Sequence, residues 1–170
     1  IEFNRDGSFS VQPLVVTKER LYDLNNHLML FFTGVSRFSS EVSSSQLSNL
    51  DNCHSQMNEI QSMVDEGASI LRNQNNSLND FGKLLDKAWK NKRSLSKLVS
   101  NNKIDELYAS AIKAGATGGK ILGAGGGGFI LFYVKPENQN NVAKTLKNLT
   151  LVPFKFENTG SKVVLYQPDG

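Results

Sequence analysis

Polar and apolar residues alternate near the start of the chain, and this pattern predicts a β-hairpin. Asp6-Gly7 is a strong two-residue turn signal between residues 1–4 and 8–16. Pro13 lacks a backbone donor, which places the second strand at the edge of a sheet. The apolar positions that alternate with polar ones in that strand, as in a half-buried strand, are Phe9, Val11 and Val15.

A capped helix, a buried strand and a long helix follow. Thr17 is placed to cap a helix over residues 18–26. Residues 27–33 are almost continuously apolar and predict a buried strand. Residues 34–45 are polar, serine-rich and lead into the long helix, whose apolar stripe is typical of packing against other helices. A coiled coil is the rival interpretation, although about three heptads give it thin support. The stripe consists of Leu50, Cys53, Met57, Ile60, Val64 and Leu71.

Two further helices are predicted between residues 77 and 115. Ser77 and Asp80 form a capping-box pattern at the start of the first helix. Gly115 is well placed to end the second. The apolar face of the first helix is Phe81, Leu84, Leu85, Ala88, Trp89, Leu95, Leu98 and Val99. That of the second is Ile104, Leu107, Tyr108, Ala111 and Ile112.

The last forty residues mix strands and one helix. Residues 129–134 (FILFYV) predict a buried strand, and Pro136 suits the first turn of a helix. Residues 152–156 and 162–166 predict two more strands. The fold class is therefore α+β, an antiparallel sheet with helices packed on one side. The inner face of the last helix is Val142, Ala143, Leu146 and Leu149.

Composition is that of an ordinary globular domain. The chain has 170 residues, of which 39% are hydrophobic and 21% charged. It has no apolar run near the roughly 20 residues of a membrane span and no secretory signal. Cys53, the single cysteine, cannot form an internal disulfide, which suits a cytoplasmic location. The chain opens at Ile1 inside a predicted strand, so we expect residues to precede it.

A cluster of basic residues has two interpretations. It could bind an anionic partner such as nucleic acid, or it could be the solvated face of a helix. No aromatic residues or nucleic-acid motif interleave it, which favours the solvated face. His27 and His54 lack metal-ligand spacing with Cys53, so no metal site is predicted. The cluster comprises Lys83, Lys87, Lys90, Lys92, Arg93 and Lys97.

The most distinctive chemistry lies in the glycine-rich segment 118–128 (GGKILGAGGGG). Glycine tolerates positive φ and lets the backbone approach a ligand closely. Successive exposed N–H groups can then cradle an anion. Ordering so many glycines costs entropy, so we expect the segment to have a function; a flexible connector is the alternative.

Two other nucleotide motifs do not fit this segment. Gly123, Gly125 and Gly128 match G-x-G-x-x-G, but that motif must open a helix, and here a strand follows. A Walker loop needs Ser or Thr where Ile121 stands and glycine where Ala114 stands. We therefore expect neither a dinucleotide fold nor a P-loop.

The glycine segment, with the Phe129 that follows it, resembles the third signature motif of the GHMP kinases. The form with Gly-Gly-Lys ahead of Gly-Ala-Gly-Gly-Gly-Gly-Phe is most similar to heptose 7-phosphate kinases and related fucokinase domains. Residues 31–37 (FFTGVSR), with Gln46 beyond, resemble a second passage of the heptose kinases, and the opening strands are similar to those after the family's second motif. The likeness runs along most of the chain.

The resemblance implies an enzyme that moves the γ-phosphoryl of ATP, with Mg²⁺, to a hydroxyl of a heptose phosphate for bacterial surface-polysaccharide (lipopolysaccharide) precursors. It implies a phosphate-site loop formed by Gly123, Ala124, Gly125, Gly126, Gly127 and Gly128. Lys120, Arg37 and Thr33 are the implied substrate-binding residues. Other interpretations are Arg37 pairing with Glu41 and Lys120 as a solvated lysine at a strand end.

The resemblance also implies a division of the chain and a missing partner. Residues 1–16 would end an amino-terminal kinase domain, and 17–170 would be the GHMP carboxy-terminal domain with a ferredoxin-like core. The family's phosphate loop and catalytic acid have no match here, so no catalytic residue is expected in this chain, and alone it should be inactive. A homodimer is a further candidate assembly; nucleic acid and membrane are not expected partners. The alternatives are another GHMP kinase, of fucose or phosphomevalonate type, or a non-catalytic binding module.

Overall fold

The computed structural model describes residues 1–35, 39–157, 160–161 and 163. Its strands are β1 (Glu2–Phe3), β2 (Phe9–Ser10), β3 (Leu28–Phe32), β4 (Ala116–Ile121), β5 (Phe129–Val134) and β6 (Thr150–Val152). Its α-helices are α1 (Lys18–Asn26), α2 (Ser39–Leu47), α3 (His54–Arg72), α4 (Leu78–Ser94), α5 (Asn102–Lys113) and α6 (Pro136–Thr145), and a 3₁₀ turn spans Leu50–Asn52.

Four strands form one antiparallel sheet in the order β4-β5-β3-β6. Leu131 of β5 lies opposite Leu30 of β3 on one side and Lys120 of β4 on the other. The order is that of the split β-α-β-β-α-β, or ferredoxin-like, arrangement, in which each helical connection crosses one strand. The predicted α+β class is confirmed. Because β5 is antiparallel to both neighbours, a parallel βαβ dinucleotide fold is excluded.

The main core lies on the sheet face that carries alternate residues of β3 and β5. Trp89 of α4 and side chains of α5 and α6 cover this face. The burial follows the period of two over the first four residues of β5, because Ile130 and Phe132 are buried while Phe129 is exposed. Tyr133 and Val134 are both buried. The fully buried side chains of the core include Phe31, Trp89, Ile104, Ile121, Ile130, Phe132, Val134, Val142 and Leu146.

Helix α4 lies against β4, the edge strand, at a distance that only glycine permits. A Cβ built on Gly118 would lie 2.0 Å from the Gly82 carbonyl oxygen. A Cβ on Gly82 would in turn meet the Tyr133 ring at 2.6 Å. The missing side chains let helix and strand backbones touch, which sets the position of β4 and of the loop that follows it.

Several predicted elements are confirmed, with their caps. Thr17 accepts a hydrogen bond from the Arg20 N–H, and Ser77 accepts one from the Asn79 N–H. Gly115 adopts a φ of 114° just after α5. The bounds of α1 and β5 are the predicted ones.

Other expectations are wrong. The opening hairpin forms, but its strands are two residues each, and Phe9 is 66% exposed rather than half-buried, since no other described element covers it. The predicted long helix is broken: α2 and a 3₁₀ turn precede α3. Within α3 the buried residues are Met63 and Ile70, whereas Val64 is 67% exposed, because α4 packs against only one side of α3.

The ends of three other elements also differ from prediction. Helix α4 stops at Ser94, so Leu95 and Val99 are buried in the segment after it. The strand expected at 152–156 is β6, at Thr150–Val152, because only there does the backbone pair with β3. Most of the strand expected at 162–166 lies outside the described residues. No helix within the described ranges is long and apolar enough to cross a membrane.

Arg20 is a buried cation that binds backbone carbonyls. Its guanidinium donates to the carbonyl oxygens of Ile70 at 2.5 Å and Asn76 at 2.8 Å, where α3 ends and the turn to α4 begins. These acceptors would otherwise lack partners, and the helix C-terminus favours a positive charge.

Arg20→Met should therefore lower the free energy of unfolding by about 2 kcal/mol, since hydrogen bonds to charged groups are lost and buried carbonyls are left unpaired. Urea unfolding would measure it. Arg72→Met, at an exposed residue in the last turn of α3, is the matched control and should change stability by less than about 0.5 kcal/mol. Equal effects of the two substitutions would contradict this role.

Candidate functional site

The glycine loop, residues 122–128, connects β4 to β5 at one end of the sheet. Four of its glycines have positive φ: Gly123 at 70°, Gly125 at 125°, Gly126 at 77° and Gly128 at 82°. Side-chain-bearing residues rarely adopt these angles. The loop begins with a hydrogen bond from the Leu122 N–H to the Phe129 carbonyl at 2.8 Å, which closes it at its base.

The end of β3 holds the far side of the loop. The Thr33 N–H and hydroxyl both donate to the Gly128 carbonyl, at 2.9 and 2.8 Å. The Gly128 N–H donates in return to the Val35 carbonyl at 2.7 Å. Thr33 is only 2% exposed. These three bonds attach the end of the loop to the buried strand.

The segment between α4 and α5 holds the middle of the loop. The Gly126 N–H donates to the Val99 carbonyl at 2.8 Å, and the Asn101 side chain reaches the Gly126 carbonyl at 3.4 Å. A Cβ on Gly125 would lie 2.8 Å from the Val99 carbonyl oxygen. A Cβ on Gly127 would lie 2.6 Å from the Val35 carbonyl oxygen. The loop is thus packed between two backbone segments rather than free, which argues against a flexible connector.

Side chains from two helices contact the first half of the loop. Gln46 of α2 donates to the Ala124 carbonyl at 3.0 Å. Lys92 of α4 donates to the Gly123 carbonyl. These contacts use carbonyl oxygens and leave amide donors free. Within the described part of the chain, the N–H groups of Gly123, Ala124, Gly125 and Gly127 have no hydrogen-bond partner. Such donors fit a phosphate-type anion.

Two half-buried lysines stand at the start of the loop. Burial lowers the pKa of Lys92 to about 8, and repulsion from the nearby Lys120 charge adds to the effect. Burial also lowers the pKa of Lys120. Both shifts have the sign expected for cations removed from water without a compensating carboxylate. The electrostatic potential at the start of the glycine loop is therefore positive.

Comparison with known proteins decides the family. Residues 68–149, which include α4, α5, β4, the glycine loop and β5, match the family model described as GHMP kinases C terminal. Residues 68–149, just under half of the chain, are thus identified as a GHMP kinase C-terminal domain. The resemblance predicted from the glycine motif is confirmed at this level.

Individual relatives of this GHMP domain are kinases. A D-glycero-alpha-D-manno-heptose 7-phosphate kinase of Campylobacter jejuni is 31% identical over 170 positions, covering 95% of this chain and 48% of that protein. A bifunctional fucokinase/GDP-fucose pyrophosphorylase of Arabidopsis thaliana is 27% identical over 74% of this chain and 12% of its own length. The chain thus spans about half or less of these relatives.

A solved structure shares the fold. The crystal structure of a D-glycero-D-manno-heptose 1-phosphate kinase from Bacteroides thetaiotaomicron superposes with a TM-score of 0.63. It is 22% identical, and the match covers 91% of this chain and 40% of that one. At this identity the likeness supports the fold of the GHMP domain.

The structure brings together most of the predicted site residues. The loop glycines and Thr33 are in direct contact, and Lys120 lies in β4, two residues before the loop begins. Arg37 lies outside the described residues, so its predicted role is not tested. Thr33 donates to the loop backbone, and its predicted contact with substrate stays a prediction.

Sequence reasoning missed the loop contacts of three residues, and it missed one strand. Val99, Asn101 and Lys92 contact the loop, but they lie 25 to 31 positions before their partners in the chain, and no local pattern linked them to it. Gln46 was noted only through the family likeness. Strand β4 was missed because Gly118 and Gly119 were assigned to the loop; the apolar residues Ala116 and Ile121 at its ends were the available signal.

Thr33→Val tests whether Thr33 serves the loop or the substrate. Valine keeps the shape but removes the hydroxyl, so the Gly128 carbonyl keeps only its bond from the Thr33 amide. We expect a loss of about 1 kcal/mol in unfolding free energy, measured in urea. In a kinase assay of the complete protein, a role confined to the loop should raise the KM for the nucleotide, because the unpaired loop amides suit its phosphates. A rise confined to the acceptor KM would instead indicate direct substrate contact.

Proposed function

We propose that the chain is the carboxy-terminal part of an ATP-dependent small-molecule kinase whose acceptor is a heptose phosphate, converted from the 7-phosphate to the 1,7-bisphosphate. The observation that carries the proposal is the glycine loop, which is bonded at its base, middle and end yet has four amide donors without a partner among the residues that the structure describes. The family match and the heptose kinase relative support it.

The site suits phosphoryl transfer, which depends on positioning and on neutralising charge around the phosphoryl oxygens. The loop amides would bind phosphate oxygens of ATP with no reorganisation during the reaction, since Thr33, Val35 and Val99 already hold the loop. Lys120 would add a positive charge beside them. ATP supplies the transferred phosphoryl group when bound.

Mg²⁺ usually accompanies this chemistry. Among the described residues, no group of three or more His, Cys, Asp or Glu is placed to hold a metal ion. We therefore assign no residue of this chain to the metal. The catalytic acid and the second phosphate loop would come from an amino-terminal domain, and the chain alone would be inactive.

The choice of acceptor rests on the relatives. The heptose kinase likeness covers nearly the whole chain, whereas the fucokinase likeness covers less of it. We therefore place heptose phosphate ahead of fucose, and the pathway would be the cytoplasmic supply of bacterial surface-polysaccharide precursors. A fucose kinase is the second candidate.

A coupled ADP-release assay on the complete protein would test the proposal, with heptose 7-phosphate, fucose, galactose and mevalonate as acceptors. We expect the highest kcat/KM with the heptose phosphate, and no turnover by the isolated chain. Equal or better use of fucose would move the assignment to the second candidate. Absence of turnover with every acceptor would favour a non-catalytic module.

A further inference from the structure

The basic residues of α4 and the segment after it are not equivalent. Four of the six pair with a carboxylate at or near the surface: Lys83 with Asp80, Lys87 with Glu59, Lys90 with Asp86, and Arg93 with Asp105. Lys97 is exposed to solvent. The solvated-face interpretation is therefore correct for these five, and Lys92 is the exception.

Lys92 is bonded to the glycine loop and lies near another cation rather than a carboxylate. It donates to the Gly123 carbonyl and lies near Lys120, close enough for their charges to repel. Neither lysine forms a salt bridge with any residue that the structure describes. Lysines removed from water are rarely left without a partner, because desolvating a charge is costly.

Lys92 and its surroundings offer N–H donors that could bind an anion. An ammonium has three N–H donors, and the bond to Gly123 uses one on Lys92. No described residue accepts from the Lys120 ammonium. The unused amides of Gly123 and Ala124 follow directly in the loop. Donors from a helix, a strand and a loop therefore lie near one another at the start of the loop, and most of them have no acceptor among the described residues.

We propose that Lys92 and Lys120 form a two-lysine site for a single phosphate group, in which the bond from Lys92 to Gly123 keeps both the lysine and the loop in position. This inference rests on the proposed function and extends it to a residue outside the glycine motif. A phosphate dianion accepts several charge-assisted hydrogen bonds and would offset the repulsion between the two ammonium groups.

A purely structural role for Lys92 explains less. A neutral donor would hold the Gly123 carbonyl without placing a second cation beside Lys120. Lys92→Gln provides such a neutral donor. Its side chain is shorter than that of lysine, so a loss of binding would not separate the lost charge from a lost bond to Gly123. Lys92→Arg keeps the charge and adds donors, so it tests the charge more directly.

The phosphate group has two possible sources, the nucleotide or the sugar phosphate. We therefore suggest titrating the complete protein by calorimetry with tripolyphosphate, which mimics the triphosphate of ATP, and separately with heptose 7-phosphate. The variants are Lys92→Met, Lys92→Arg and Lys120→Met. Lys83→Met is the matched control, because it removes the same charge from an exposed pair on the same helix.

Lys92→Met and Lys120→Met should each weaken the same one of the two probes by about 10- to 100-fold, the usual effect of losing a hydrogen bond to a charged group. Lys92→Arg should recover most of that loss, and Lys83→Met should bind both probes like the wild type. The affected probe identifies the source of the phosphate. Wild-type affinity of folded Lys92→Met for both probes would overturn the proposal, as would a wild-type protein that binds neither.

A measurement on the unmodified protein covers the case in which a variant fails to fold. Lysine acylation at pH 8, read by mass spectrometry, should be slowed at Lys92 and Lys120 by the bound probe and unchanged at Lys83. Absence of protection would contradict the site. The outcomes also separate the two proposals: turnover with unchanged probe binding would refute only the site, whereas lysine-dependent binding without turnover would refute only the kinase function.

Discussion

Gly126→Val in the complete enzyme is expected to abolish turnover while the protein stays folded. Gly126 has a φ of 77°, which a β-branched residue resists, and the change costs about 1–3 kcal/mol of local strain. A domain with a stability of about 5–15 kcal/mol tolerates that. The loop is less tolerant, because moving Gly126 breaks its bond to Val99 and displaces the amide donors on both sides. Losing one preorganised donor costs about 10²–10³ in rate, and several would be disturbed here.

The test is kcat and melting temperature on the same preparation. Gly7→Val is the matched control: Gly7 also has positive φ, 85°, but lies in the exposed turn of the opening hairpin, where an added Cβ would meet no atom within 4 Å. It should carry similar strain and leave turnover unchanged. Near-normal turnover of Gly126→Val would disprove the active-site role of the loop. Lost turnover in an unfolded protein would assign the glycine to the fold.

Gly118→Ala is expected to have the largest effect on stability, about 3 kcal/mol, at the upper end of what overpacking costs. The added Cβ would meet the Gly82 carbonyl at 2.0 Å and the Asp86 backbone nitrogen at 2.8 Å. Both are backbone atoms of α4, so no side chain can rotate away. The helix and the edge strand would have to separate, which would open the core around Trp89.

Urea unfolding would measure this loss as a lower midpoint. Gly67→Ala is the control, because its Cβ would lie 3.3 Å from the tip of Leu84, a side chain that can adjust, and alanine favours a helix interior by about 0.5–1 kcal/mol. It should be neutral or slightly stabilising. Stability of Gly118→Ala equal to that of the wild type would show that the close approach of α4 and β4 is not required.

Local chemistry accounts for the elements that were predicted well. Helix α1 and the start of α4 follow from Thr17 and Ser77, whose side-chain oxygens satisfy amides that a helix leaves unpaired. Strand β5 follows from six successive apolar residues between Gly128 and Lys135-Pro136. The cost of ordering the glycine run predicted that it serves a site, and its likeness to the third GHMP signature motif predicted the family.

The sequence by itself thus determined the α+β class, most element positions and the glycine loop, since caps, periodicity and glycine content act within a few residues. Only the tertiary structure decided which side of α3 is buried, that Gly118 and Gly119 belong to a strand, and what holds the loop. It also showed that Lys92, unlike the other basic residues of α4, contacts the glycine loop. The physical reason is that these outcomes depend on packing partners distant in sequence: α4 against β4, Val99 and Val35 against the glycines, and one lysine against another.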